Sequence, residues 1–214
     1  MSNWHIDGKP GLVVLHMQKG MLTKGTIHSD KFESVRKAVE ESGMVNRIQA
    51  LLKAFRDKKL PIIFVNVFHN PLGIPSTYGW LFKNVGEPER TAGMSDVMDS
   101  SLTRDDLQVI PELNRTADEP LLFNWFLGAF SNSGLDLVLK LNGVKTLVIA
   151  GFTGHAAVYN AAVQAVDLWY SAIIARDATA SPAESQKAYE AVMDIMAPHI
   201  ALVTTTDDVI AHLK

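Results

Sequence analysis

The sequence predicts an α/β protein, one domain over residues 1–214 built on a parallel sheet. Short apolar runs rich in β-branched residues alternate with longer segments of helical period, the pattern of β–α units that feed a parallel sheet. Six such runs occur along the chain. With 214 residues, 47% of them apolar and 20% charged, the chain has ordinary globular composition and can bury a sizeable core in one domain.

The first run covers 11–16 (GLVVLH) and the second 60–67 (LPIIFVNV), the latter bounded by Lys58-Lys59 and by His69-Asn70-Pro71. Between them Val45, Ile48, Leu51, Leu52 and Phe55 recur at spacings of three and four, which puts their side chains on one face of a crossover helix. Further strands are expected at 121–125, 146–150, 171–176 and 200–204. A helix over 135–141 stops at Asn142-Gly143, and Ser181-Pro182 opens another with a cap residue and a proline at the first helical position. The apolar positions from 157 to 169 predict a buried helix. Residues 70–119, with scattered Gly, Pro, Ser, Thr and Asp and the aromatics Tyr78, Trp80 and Phe82, form a long excursion of the kind that makes a lid or an interface.

Charge and the length of the apolar runs argue against two classes of partner. Twenty Lys and Arg against 23 Asp and Glu give a net charge of -3 without a basic run, so nucleic acid is not an expected partner. No apolar stretch approaches the roughly 20 residues of a membrane-spanning helix, so a membrane is not one either. Residues 1–9 lack the apolar centre of a signal peptide, and the expected location is cytoplasmic. The chain has no cysteine, which excludes any mechanism with a thiol nucleophile.

In an open parallel sheet, ligands bind beyond the carboxyl ends of the strands, where the strand order reverses. The residues expected there are His16 and Met17, His69 and Asn70, Asn124 and Trp125, and the stretch 151–157. Three segments, LVVLHMQKGM (12–21), FNWFLGAFSNSGLDLVLKLNGVKTLVIAGFTGHAAVYNAAVQA (123–165) and RDATAS (176–181), resemble the isochorismatase-like hydrolase superfamily, which includes nicotinamidases, N-carbamoylsarcosine amidases and isochorismatases. The resemblance runs nearly end to end. It implies a doubly wound six-stranded parallel sheet flanked by helices, a pocket at the strand ends, and a homo-oligomer, dimer or tetramer.

Amidases of that superfamily use an aspartate base, a charge-stabilising lysine and a cysteine nucleophile. At the matching positions this chain has His16 in His16-Met17-Gln18, Asn124 ahead of Gly128-Ala129-Phe130, and Ala157 in Gly151-Phe152-Thr153-Gly154-His155-Ala156-Ala157-Val158. Alanine cannot form a thioester and asparagine carries no charge, so covalent amide hydrolysis by that route is excluded. Isochorismatases of the superfamily dispense with the cysteine but keep the aspartate as a proton donor, and His16 replaces that as well. A histidine exchanges protons near neutral pH, which leaves room for other acid–base chemistry. The resemblance further implies an oxyanion-binding set of backbone N–H groups around Thr153 and Ala157, and a cis peptide at Thr153-Gly154.

Two roles fit His16: an acid–base group facing a pocket, or a hydrogen-bonded histidine at a buried strand end. His69 and His155 follow the strands expected to flank the first, so the three imidazoles are candidates to converge, and with Thr153 and Gly154 to contact a ligand. Their spacing matches no metal motif, and His69-Asn70-Pro71-Leu72 lacks the superfamily's metal-binding Asp/His cluster, so neither metal nor cofactor is expected. Trp80 and Trp125 suit stacking on a planar ligand, simple packing, or a subunit interface. Asp177 is read as tying down the turn after the fifth strand, and Met17 and Gln18 as packing and turn-fixing. Two functions fit: non-covalent acid–base chemistry on a small anionic or carbonyl-containing molecule, or a catalytically silent homologue with a binding, sensing or scaffolding role.

Overall fold

The computed structural model describes residues 4–24, 32–67, 105–124 and 127–214. At its centre are six parallel strands: β1 (Lys9–Leu15), β2 (Ile62–Val67), β3 (Leu121–Asn124), β4 (Val144–Phe152), β5 (Ser171–Ala180) and β6 (Leu202–Thr204). Their order is β3-β2-β1-β4-β5-β6, so the winding reverses between β1 and β4. The helices among the described residues are α1 (Lys19–Leu22), α2 (Glu33–Ser42), α3 (Met44–Asp57), α4 (Leu135–Leu141), α5 (Tyr159–Asp167), α6 (Gln186–His199) and α7 (Thr206–His212). None is long and apolar enough to cross a membrane.

Strand alternation divides the core in two. Leu12 and Val14 of β1 face Ile48, Leu51, Leu52 and Phe55 of α3 and Val209 of α7. Val13 and Leu15 face Leu135 and Leu139 of α4, Ala161, Ala162 and Ala165 of α5, and Met193 and Met196 of α6. Because both faces of the sheet are covered, its central strands are apolar without interruption, which is why they stand out in the sequence. Of the α3 stripe predicted from spacing, Ile48, Leu51, Leu52 and Phe55 are fully buried and Val45 partly so, and Leu52→Ala there would cost about 2–5 kcal/mol. The helix stops where the two lysines predicted a turn, with Lys59 in the left-handed region at φ 53°. The helix over 135–141 also ends as expected, Gly143 taking φ 67° beyond it.

Other boundaries differ for physical reasons. The first strand stops at Leu15, because His16 leaves the extended region at φ 54°. Strand β5 continues to Ala180, pairing Thr179 and Ala180 with Gly151 and Phe152 across a register shift. Ser181 therefore directly follows a strand and does not open α6; a 3-10 turn at Ala183–Ser185 precedes that helix. Strand β6 starts only at Leu202, since α6 holds its form through Pro198 to His199. The helix over 157–169 buries a narrow alanine face, but Val166 is exposed and Trp169, turned left-handed at φ 70°, is 94% exposed. Most of the 70–119 excursion lies outside the described residues. Its return, 105–119, lies along the chain after β1, with Ile110 N–H donating to Met17 O at 2.9 Å and Lys19 N–H to Gln108 O at 2.9 Å. A bidentate pair from Arg56 to Glu119, 2.7 and 2.9 Å, anchors it to α3.

Candidate functional site at the strand ends

The winding reverses between β1 and β4, and in open parallel sheets ligands bind beyond the carboxyl ends of the strands at such a reversal. His16 is the first residue beyond β1. Its backbone N–H donates to Val65 O at 2.8 Å, and its left-handed φ turns the side chain across the end of β2 toward β3. There Nε2 lies 3.2 Å from Asn124 Oδ1. Asn124 Nδ2 donates to Gly128 O at 3.2 Å, which fixes the amide with its oxygen toward His16. An amide oxygen only accepts, so Nε2 carries the proton and Nδ1 keeps its lone pair. Nδ1 has no hydrogen-bond partner among the described residues.

Burial dominates the electrostatics of this group. It pushes the His16 pKa from 6.5 down to about 4, against the smaller opposing effect of the Asn124 hydrogen bond. The expected proton exchange near neutral pH is therefore corrected: at pH 7 the imidazole is neutral and can accept a proton, but it has none to give as an imidazolium.

Glycines bring the backbone close around the site. A Cβ at Gly128 would collide with the Gln164 amide, which accepts from Phe130 N–H at 3.3 Å and donates to Ser131 Oγ at 3.2 Å. A Cβ at Gly151, where φ is 114°, would fall on the Leu15 carbonyl oxygen. At Gly154 it would enter the Tyr189 ring, so this candidate ligand contact packs against α6. Gln18 fixes the neighbouring turn, its Oε1 accepting from Val67 N–H at 2.9 Å, and Met17 is buried.

Beyond β4 the chain passes Thr153 into a π turn at Gly154–Val158 that runs on into α5. The cis peptide joins Phe152 and Thr153, one bond earlier than the resemblance implied, at the junction between the strand's last residue and the residue before the turn. Thr153 O accepts from Ala156 N–H at 3.3 Å and Val158 N–H at 3.0 Å. Ala157 is 2% exposed among the apolar side chains of the β1–α5 core. His155 reaches the segment that follows β5. Its backbone N–H and its Nδ1 both meet Ser181 Oγ, at 3.2 and 2.9 Å. Among the described residues no group of three metal-type side chains assembles. His69, Trp80 and Trp125, with Tyr78 and Phe82, lie outside the described residues.

Asp177 lies within β5 and, instead of fixing the turn after that strand, holds the start of α7 and Arg47 of α3. Its Oδ1 accepts from Thr206 N–H and Oγ at 2.7 and 2.9 Å, and its Oδ2 lies 3.3 Å from Arg47 Nε. Ser181, Gln164 and Tyr189 were not singled out as site residues. Ser181 stood in the quoted RDATAS segment, but the Ser-Pro pair that follows suggested a helix cap.

The model of the isochorismatase domain matches residues 10–208. The chain belongs to the isochorismatase family. Family relatives include the uncharacterized isochorismatase family protein YwoC of Bacillus subtilis (strain 168), 26% identical over 217 residues that span 100% of both chains. A cysteine hydrolase from Pseudomonas syringae pv. phaseolicola 1448A superposes with a TM-score of 0.77 at 20% identity, over 99% of this chain and 98% of its own. An N-carbamoylsarcosine amidase from Thermoplasma acidophilum gives 0.66 at 23% identity, over 93% and 97%. These likenesses carry the isochorismatase fold, six parallel strands flanked by helices, onto this chain.

Proposed function

We propose that this isochorismatase-family protein acts on a small anionic or carbonyl-containing molecule by non-covalent acid–base chemistry, with His16 as the base. The supporting observation is the burial of His16 at the strand end, which brings its pKa down to about 4. That value lies close to an ordinary aspartate, about 3.9, and aspartate is what the resemblance expects at this position. Basicity is thus kept while the negative charge is lost. The lysine expected at Asn124 is absent too, so the two opposite charges vanish together and neither leaves an unpaired buried ion. A neutral base also does not repel an anionic ligand.

In the proposed reaction, His16 Nδ1 takes a proton from water as the water oxygen bonds to the carbonyl carbon, and returns it to the leaving group as that bond breaks. Ala157 supplies no nucleophile, so no acyl intermediate forms at that position. The test is a turnover screen over small esters and amides. Activity should vanish in His16→Ala without unfolding, stay flat from pH 8 to about 5, and fall by half near pH 4 as His16 protonates. Hits that survive His16→Ala sink the proposal.

Fully buried Asn124 and the apolar surroundings of Ala157 favour a second reading, in which this site holds a ligand without converting it. Ligands that raise the melting temperature and are recovered unchanged would select it.

A further inference from the structure

A polar pair one strand away from His16 and Asn124 takes no part in that chemistry. Ser181 follows β5 directly, and because Phe152 pairs with Ala180, Ser181 and Thr153 sit side by side at the carboxyl edge of the sheet. Ser181 is 6% exposed and His155 is half-buried. The serine oxygen accepts from the His155 backbone N–H at 3.2 Å and lies 2.9 Å from Nδ1 of the same residue. If Nδ1 donated, the oxygen would hold two donors and its own proton would have no acceptor among the described residues. With the hydroxyl donating to Nδ1, the serine oxygen accepts one proton and gives its own.

We infer that Ser181 is a nucleophile activated by His155, a reactive centre separate from His16. Nucleophile and base stand within the 2.6–3.2 Å that such pairs require. The serine oxygen also faces the start of the helical run from Gly154 through α5, whose partial positive charge favours an alkoxide. Capping that helix would use one lone pair of the hydroxyl; the imidazole on the same oxygen adds what a base needs. The substrates are small acyl compounds, esters or thioesters. Ser181 Oγ bonds to the acyl carbon as its proton passes to His155 Nδ1, and the leaving alcohol or thiol departs with that proton. Water then attacks the acyl-serine, giving its proton to Nδ1, and the carboxylic acid leaves as the proton returns to Ser181 Oγ.

The test treats the full chain with a fluorophosphonate, which phosphonylates activated serines with loss of fluoride. Intact mass and peptide mapping should find one adduct, on Ser181. The adduct should be absent in Ser181→Ala and form about a hundred-fold more slowly in His155→Asn. Because the chain has no cysteine, Ser181→Cys adds a second measurement that does not depend on the alanine variant folding. Its alkylation by iodoacetamide should be half-maximal below about pH 7.5, and should move toward about 8.5 when His155→Asn is added. No adduct on Ser181, labelling of His155→Asn at the wild-type rate, or a thiol profile indifferent to His155 overturns the inference.

Discussion

His16→Asn measures what it costs to keep the imidazole buried and neutral. In the folded protein burial lowers the His16 pKa to about 4, whereas in the unfolded chain it titrates near 6.5. Between those values the unfolded state holds a proton that the folded state refuses, so stability falls as the pH drops. Above about pH 6.5 both states are neutral and the group contributes nothing. Below about pH 4 both are protonated and the loss is complete. Each tenfold difference in proton affinity is worth about 1.4 kcal/mol, so the full loss is about 3 kcal/mol, of which roughly 2 kcal/mol develops between pH 7 and 5. Asparagine does not titrate and tolerates the left-handed backbone that His16 adopts at φ 54°. Urea unfolding at pH 7 and pH 5 should therefore show the wild type losing roughly 2 kcal/mol more than the variant. Comparing the two proteins removes the contribution of the other histidines. Equal losses would refute the reasoning.

Asn124→Asp sets a carboxylate 3.2 Å from His16 Nε2 and should raise the histidine pKa by roughly 1–3, read by NMR titration; an unmoved or lower value would break the pairing. Gly151→Ala should destabilise by more than about 3 kcal/mol in urea unfolding, because its Cβ meets the Leu15 backbone and its φ of 114° disfavours any side chain. A near-neutral Gly151→Ala would contradict the close β1–β4 approach. Arg56→Met leaves the buried Glu119 carboxylate without its cation and should cost about 3 kcal/mol at pH 7. A loss under 1 kcal/mol would show that the 105–119 segment does not depend on this pair.

The sheet was legible because its strands are covered on both faces and read as apolar runs, and α3 because its buried stripe repeats at helical spacing. The extension of β5 was not legible. Thr179 and Ala180 pair with β4 only after a register shift, and no local pattern near Ser181-Pro182 encodes that. The same shift turned Ser181 from a supposed helix cap into a partner of His155, a residue 26 positions away. His16 and Asn124 were found by motif position. Their pairing across β2 joins residues 108 positions apart, and the burial that makes the imidazole a weak base comes from the packed fold around it. Trp169 misled for another reason: apolar composition does not say which side of a helix end the chain turns toward.

The acid–base chemistry proposed at the strand ends needs a neutral His16 of carboxylate-like basicity. Long-range proton–nitrogen NMR on histidine-labelled protein, with His16→Asn used for assignment, measures it directly. The prediction is an Nε2–H imidazole at pH 7 that titrates with a midpoint near 4. An imidazolium at pH 7, or a midpoint at the ordinary 6.5, would contradict it.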